Sequence, residues 1–446
     1  MLNTKRRLIA KAAALACCSL GAAQAAAEVK IGEAGGWEVV TSGQVNTFLT
    51  YAWGDGYPVA PIDPATGAPI QRTIIGGGGL EGGRIPDVDA NGDPIPGRQG
   101  SISQWRVRTG FSPNLLKLGV RKQVTPDLKL SAVMSLWGVI EPDGMAKYDR
   151  VVTDFREGYG LVEGPWGAVT LGRHLGLYSR GIVEINFLYG HQYGVGYHGN
   201  LSSSGPTAGL IGFGVLAAFF SPGVMYSTPK LGDVLQLNVG VYDGVQIAGS
   251  WETTRTPRPE FELTAEFETE DFFGKAFVNG AYQKLYRIAI ADESETMMGL
   301  GAGARLEFGP IHVGGGGHYG RGLGLGYALE GGFTSVGPLN VNPGEQVLEL
   351  RTFDGYSVFA QYAPGDFDVN LGFGQSRVHL LETDRTGPDA ATNSVVKTQT
   401  GVAAGFVYHF SKSFHWDIDY MRAMFRWYRG EKQDVNFVNT GLTLNW

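Results

Sequence analysis

Thiols are almost missing from this 446-residue chain, and its two cysteines, Cys17 and Cys18, both fall near its start. The rest of the chain carries no disulfide and must be held by hydrogen bonding and packing alone. Charge is thin as well, at 18% of residues, with 36 Lys and Arg against 43 Asp and Glu. Four of those cations precede residue 12 and no carboxylate precedes Glu28, so the remainder is more acidic than the overall −7. A chain of that balance has no basic footprint for nucleic acid. Long apolar runs are also missing: after residue 28 none approaches the roughly 20 residues that a spanning helix requires. Yet the mean hydropathy of −0.07 is too high for a disordered chain.

The usual patterns of catalysis are missing too. No Gly-x-Ser-x-Gly occurs, and His174, His191, His198, His318, His379, His409 and His415 show no triad or metal-ligand spacing. The run from Gly315 to Gly320 formally matches a dinucleotide fingerprint, but it reads as a strand with no helix after it. The sequence therefore points away from an enzyme and implies no cofactor and no metal.

What the chain does have is alternation. Residues 260–268 read E-F-E-L-T-A-E-F-E. In a strand, Phe261, Leu263, Ala265 and Phe267 share one face, and Glu260, Glu262, Thr264, Glu266 and Glu268 share the other. A helix would scatter the carboxylates and leave no apolar stripe. The same pattern recurs with short turns between, which is the signature of strands with lipid outside and water inside. On that reading Glu260, Glu262, Glu266 and Glu268 line a lumen, away from its narrowest point. Glycine, at 68 residues, is about twice its usual share and suits tight turns and crowded barrel walls.

Sixteen strands are expected, near 37–52, 114–124, 128–140, 155–163, 168–173, 219–228, 234–242, 260–268, 275–285, 297–308, 311–319, 351–362, 367–378, 397–410, 413–428 and 435–446. Seven connections are tight and rich in Gly, Pro and Asp, among them Thr125-Pro126-Asp127 and Gly309-Pro310. The longer connections between them include 53–113, 174–218, 320–350 and 379–396. Short turns on one rim and long loops on the other define the fold class: all-β, a transmembrane antiparallel up-and-down β-barrel of sixteen strands. Trp37, Tyr51, Trp416 and Trp427 suit an aromatic girdle. The strand near 413–428 loses its phase after Tyr420, and a bulge there would repair it.

The beginning of the chain reads as an export signal. Lys5, Arg6, Arg7 and Lys11 lead an apolar stretch to Leu20, followed by small residues up to Ala27. The expected organisation is a signal peptide over 1–27 and one barrel domain over 28–446. An exported strand-rich chain without a spanning helix belongs in an outer membrane.

Three stretches go beyond a generic alternating pattern. Lys117-Leu118-Gly119-Val120-Arg121 is similar to a basic-x-Gly-aromatic-basic strand of the general porins of Gram-negative bacteria. Arg156 to Leu161, the turn Gly164-Pro165-Trp166-Gly167 and Val169-Thr170-Leu171-Gly172-Arg173 resemble its fourth strand, turn and fifth strand. The segment Thr440 to Trp446 is similar to the closing strand read by the barrel-assembly machinery, although the family ends in Phe. The resemblance implies a homotrimer in contact with lipid and lipopolysaccharide, passing small hydrophilic solutes and ions. It also implies a third loop, here 174–218, folded into the lumen as a constriction. Lys117, Arg121, Arg156 and Arg173 would line the wall, and Glu184, the one carboxylate of that loop, would face them. Opposed charges across such a gap sort solutes by sign. The loop aromatics Tyr178, Phe187, Tyr189, Tyr193 and Tyr197 suit either a sugar-selective channel or packing against the wall.

Overall fold

The computed structural model describes residues 28–55, 90–91, 101–110, 114–138, 153–188, 210–216, 218, 220–246, 253–287, 294–323, 349–382, 385, 396–428 and 430–446. The expected signal segment 1–27 lies outside the described residues, as do Tyr189, His191, Tyr193, Tyr197 and His198.

The first nine strands are β1 (Val29–Ala34), β2 (Trp37–Asp55), β3 (Ser101–Arg108), β4 (Asn114–Thr125), β5 (Leu128–Gly138), β6 (Thr153–Gly164), β7 (Gly167–Leu175), β8 (Phe220–Ser227) and β9 (Leu235–Tyr242). The second nine are β10 (Arg258–Glu268), β11 (Phe272–Tyr286), β12 (Ser294–Phe308), β13 (Ile311–Arg321), β14 (Thr352–Tyr362), β15 (Phe367–His379), β16 (Val396–Ser411), β17 (Phe414–Trp427) and β18 (Lys432–Asn445). From β4 onward each strand pairs antiparallel with the next, and β18 returns to β2 between Val435↔Gly54 and Asn445↔Gln44. The sheet is closed, so no backbone edge faces lipid.

Eighteen strands make a sixteen-strand wall because two of them are not separate staves. β3 pairs with the far half of β2 and β4 with its near half, along the same edge, so together they form one interrupted stave. β1 folds back on β2 through Gly35 and Gly36, both at positive φ, and occupies the edge below β18. All sixteen expected segments become strands. β1 and β3 were not expected: β3 lies within the segment assigned to the first loop. Its outward apolar face is only Trp105 and Val107, too short a run for alternation to announce.

The outer surface carries the apolar residues. Leu116, Leu118 and Val120 on β4, Leu235 to Val241 at alternate positions on β9, and Val358, Leu371 and Tyr408 farther round are all exposed large hydrophobics. Their neighbours, Lys117, Asn238, Asn370 and Asp417, turn inward and are largely covered. In a barrel this arrangement places lipid outside. Two expectations are corrected. β17 pairs with β18 without interruption from Phe414↔Leu444 to Arg426↔Lys432, so no bulge follows Tyr420. Arg422 and Arg426 do sit on the outer face, near its long-loop end, where Asp434 of β18 neutralises both at 2.9 and 2.5 Å. Trp427 keeps the opposite parity and is buried inside the barrel, so it is no part of a girdle.

Candidate functional site: a loop packed inside the barrel

The connection from β7 to β8 turns into the lumen. Ser179, in a left-handed conformation at φ 66, starts a short helix, α1 (Arg180–Ile185). The carboxylate of Glu260 on β10 accepts the backbone N–H groups of Leu177 at 2.6 Å and Tyr178 at 2.9 Å, and Arg258 Nε at 2.8 Å. One strand position pair farther on, Glu262 receives the Arg180 guanidinium, with Nε at 2.8 Å. Each carboxylate meets N–H donors where water is excluded, which is where charge-assisted bonds are strongest. Next to Glu260, burial raises the pKa of the Tyr178 hydroxyl, which stays protonated at any ordinary pH.

The other side of the loop is greasy. Ile182, Val183, Ile185, Phe187 and Leu188, then Leu210, Phe213, Val215 and Leu216, join one buried cluster with the inward faces of β11 to β18. Met297, Phe353, Phe359, Met421, Phe425 and Phe437 come from the wall. Glycines in the wall let the loop approach the sheet itself. A Cβ on Gly372 would stand 2.2 Å from Leu188 Cδ1, and one on Gly374 would stand 2.0 Å from the Phe213 carbonyl oxygen. The side chains that alternation assigns to a lumen are here apolar because a second layer covers them.

The charged wall is on the near side, where Arg156, Asp154 and Arg173 are partly exposed and Glu157 is buried. Lys117 Nζ lies 3.0 Å from Glu157, and Arg156 Nε lies 2.8 Å from Asp154. The β5–β6 register slips between Ser135 and Leu136, leaving Arg156 as an extra residue. Such a bulge lets adjacent side chains share one face. Arg156 then lies over Trp137, 4.4 Å from the ring centre, and over Phe220 at 5.9 Å. Arg173 reaches to 3.9 Å from Asp154 and is paired in register with Gly158.

The structure brings Lys117, Arg156 and Arg173 into one neighbourhood with Asp154 and Glu157. It does not bring Arg121 there. Arg121 sits near the short-turn end, bonded to Glu38 at 2.6 Å and Glu28 at 2.8 Å, since four residues of strand span about 13 Å. Glu184 differs as well. Its partners are Lys275 at 2.8 Å and its own helix neighbour Arg180 at 3.6 Å, on the β10–β11 side. Glu260 and Glu262 lie under the loop and hold it, since parity gives the face of a residue and not what packs over it. Glu266 meets Lys275 and Lys230, and Glu268 is exposed at the short-turn rim.

Sequence reasoning missed Asp154, Glu157, Arg180, Arg258 and Lys275. Arg258 extends the alternation of β10 by one step and could have been read there. Arg180 and Glu184 are spaced four apart, a helical pairing.

A family model described as Gram-negative porin matches residues 12–426. A comparison with curated proteins finds no match. Among solved structures, the outer membrane channel DcaP of Acinetobacter baumannii is 16% identical with a TM-score of 0.62, covering 94% of this chain and 100% of that one. An anion-selective porin from Comamonas acidovorans is 13% identical with a TM-score of 0.52, over 92% and 100%. Salmonella typhi OmpF, in a complex with daunomycin, is 12% identical with a TM-score of 0.51, over 92% and 98%. At these identities the structures speak to the fold alone.

Proposed function

The chain belongs to the Gram-negative porin family, and from that premise we propose which part of its lumen conducts. As a member it is a multi-pass barrel of the outer membrane that forms a channel for passive diffusion of small hydrophilic solutes and ions, and it is not an enzyme. The open path runs beside the loop, along the wall of β4 to β7. The observation that carries this reading is the two-sided loop: its apolar side is buried on β11 to β18, and its charged side is tethered to β10 and β11.

Lys117, Arg156, Arg173, Asp154 and Glu157 set the field on that path. Because each cation has a carboxylate close by, the wall is of mixed charge and its ion preference is mild. Glu184 and Lys275 add an opposite pair from the loop side. The assembly is a homotrimer with its apolar belt in lipid and its long-loop rim beside lipopolysaccharide. The closing strand, with Leu442, Leu444 and Trp446 on one face, is what the barrel-assembly machinery recognises. Recording purified protein in planar bilayers tests the reading: discrete conductance steps are expected. A heat-modifiable barrel that inserts and never conducts would overturn it.

A further inference from the structure

The long-loop end of the charged wall holds more positive charge than its own carboxylates neutralise. Asp154 and Arg156 stand near the start of β6, Arg173 near the end of β7, Trp137 near the end of β5, and Phe220 opens β8. Long connections join those strand ends, so the cluster lies towards the long-loop mouth of the barrel. The side chains of Arg156, Asp154 and Arg173 are 30, 33 and 42% exposed, open enough for a dissolved ion to reach them.

Most of the arginine donors have nothing to donate to. Arg156 Nε donates to Asp154 Oδ2 at 2.8 Å. Among the described residues that is the only hydrogen bond of the side chain, which leaves both Nη groups over. Arg173 comes no nearer to Asp154 than 3.9 Å, and its covered Nε has no partner. Lys117 and Glu157 offset each other at 3.0 Å, and Glu157 is buried. The reachable charges are therefore two guanidiniums against one carboxylate, a surplus of one positive charge. Covered donors left without an acceptor are costly. A carboxylate offers two oxygens at the spacing of the guanidinium fork, which a spherical ion does not. Asp154 stands beside both guanidiniums and repels a second negative charge on the same solute.

We propose that Arg156 and Arg173 form an entry subsite for small organic solutes carrying a single carboxylate. The subsite rests on the channel reading and deepens it by naming a solute class. Trp137 and Phe220, 4.4 and 5.9 Å from the Arg156 guanidinium, hold that fork in place before the solute arrives. Asp154 keeps the attraction weak enough for the solute to move on, as conduction requires.

The test uses the purified barrel in planar bilayers at low salt. The probes are N-acetylglycinate and its uncharged relative N-acetylglycinamide, added on the long-loop side. The carboxylate is expected to interrupt the current at a concentration where the amide does not. R156K keeps the charge and loses the fork, and it is expected to raise the half-blocking concentration at least threefold. R173Q is expected to raise it at least fivefold. D154N is expected to lower it severalfold, and this opposite sign carries the test if an arginine variant does not assemble. Equal block by both probes, R156K or R173Q blocking like wild type, or weaker block of D154N overturns the subsite. Tighter block by sulfate, a dianion, than by N-acetylglycinate overturns the assignment to single carboxylates. Absence of any conductance in wild type would instead overturn the channel reading.

Discussion

Gly43 and Trp446 lock the closing seam of the barrel with a reciprocal pair of backbone hydrogen bonds. Gly43 N–H donates to the Trp446 carbonyl at 2.9 Å, and Trp446 N–H donates to the Gly43 carbonyl at 3.1 Å. The indole ring lies across Gly43 so closely that a Cβ there would stand 2.2 Å from Cζ2. The pair continues the β2–β18 ladder one step past Asn445↔Gln44.

Assembly should therefore depend on both partners. Gly43→Val collides with the ring, and deleting Trp446 removes two ladder bonds at the seam. Each is expected to cut the yield of heat-modifiable barrel by more than half. The conductance of whatever does insert should be unchanged, because neither residue faces the path. Normal yield from both variants would sink the idea that the seam limits assembly.

The loop tether makes a sharper prediction. Arg180 and Glu262 are a buried ion pair, and removing one member leaves the other charged and uncompensated, at a cost of about 3–5 kcal/mol. Glu262→Gln should lower the dissociation temperature of the native oligomer and add low-frequency noise to the open current as the loop loosens. The double variant Glu262→Gln with Arg180→Met should regain much of the lost heat stability, since an apolar replacement of a buried pair is often neutral. Additive losses in the double variant would show that the two residues do not act together.

How much of this was legible beforehand follows from the periodicity of strands. Alternation with period two announced every stave whose apolar face was long, such as Leu235 to Val241. It was silent on β3, where the outward face is two residues. Parity also placed Glu260 and Glu262 on the inner face correctly. It cannot report what a distant segment lays over that face. For that reason the tether role of Glu260 and Glu262, and the partners of Glu184, emerged only from the folded chain. The apolar inner wall of β16 to β18 was similarly hidden: Met421, Phe425 and Phe437 look like strand residues of either face until the loop is seated on them.

Seating of the loop can be probed from the wall side. Gly372 makes room for Leu188, and Gly372→Val should force the loop away, overpacking of this kind costing about 1–3 kcal/mol. The variant should dissociate at lower temperature and conduct more variably than wild type. Adding Leu188→Ala should reverse part of the loss by clearing the collision, although Leu188→Ala alone opens a void worth about 2–5 kcal/mol. If the single glycine variant matches wild type in both readouts, the loop does not rest on this wall in the membrane.

The last expectation concerns ion preference along the charged wall. Lys117 and Arg156 each sit within hydrogen-bonding distance of a carboxylate, at 3.0 and 2.8 Å, so replacing both by Gln leaves Glu157 without its cation and Asp154 with only the more distant Arg173 at 3.9 Å. The reversal potential in a salt gradient should then move towards cations, and Glu157→Gln with Asp154→Asn should move it towards anions. A unit charge about 4 Å from a permeating ion is worth about 1 kcal/mol in water, so the permeability ratio should change by up to about fivefold. The shift should be largest near 0.01 M salt, where the Debye length is about 30 Å, and should fade near 1 M, where it is about 3 Å. Arg121→Gln, whose partners Glu38 and Glu28 lie near the short-turn end, should move the potential less than Lys117→Gln. Should Arg121 dominate instead, the narrow part of the path lies near the short turns and not beside the loop.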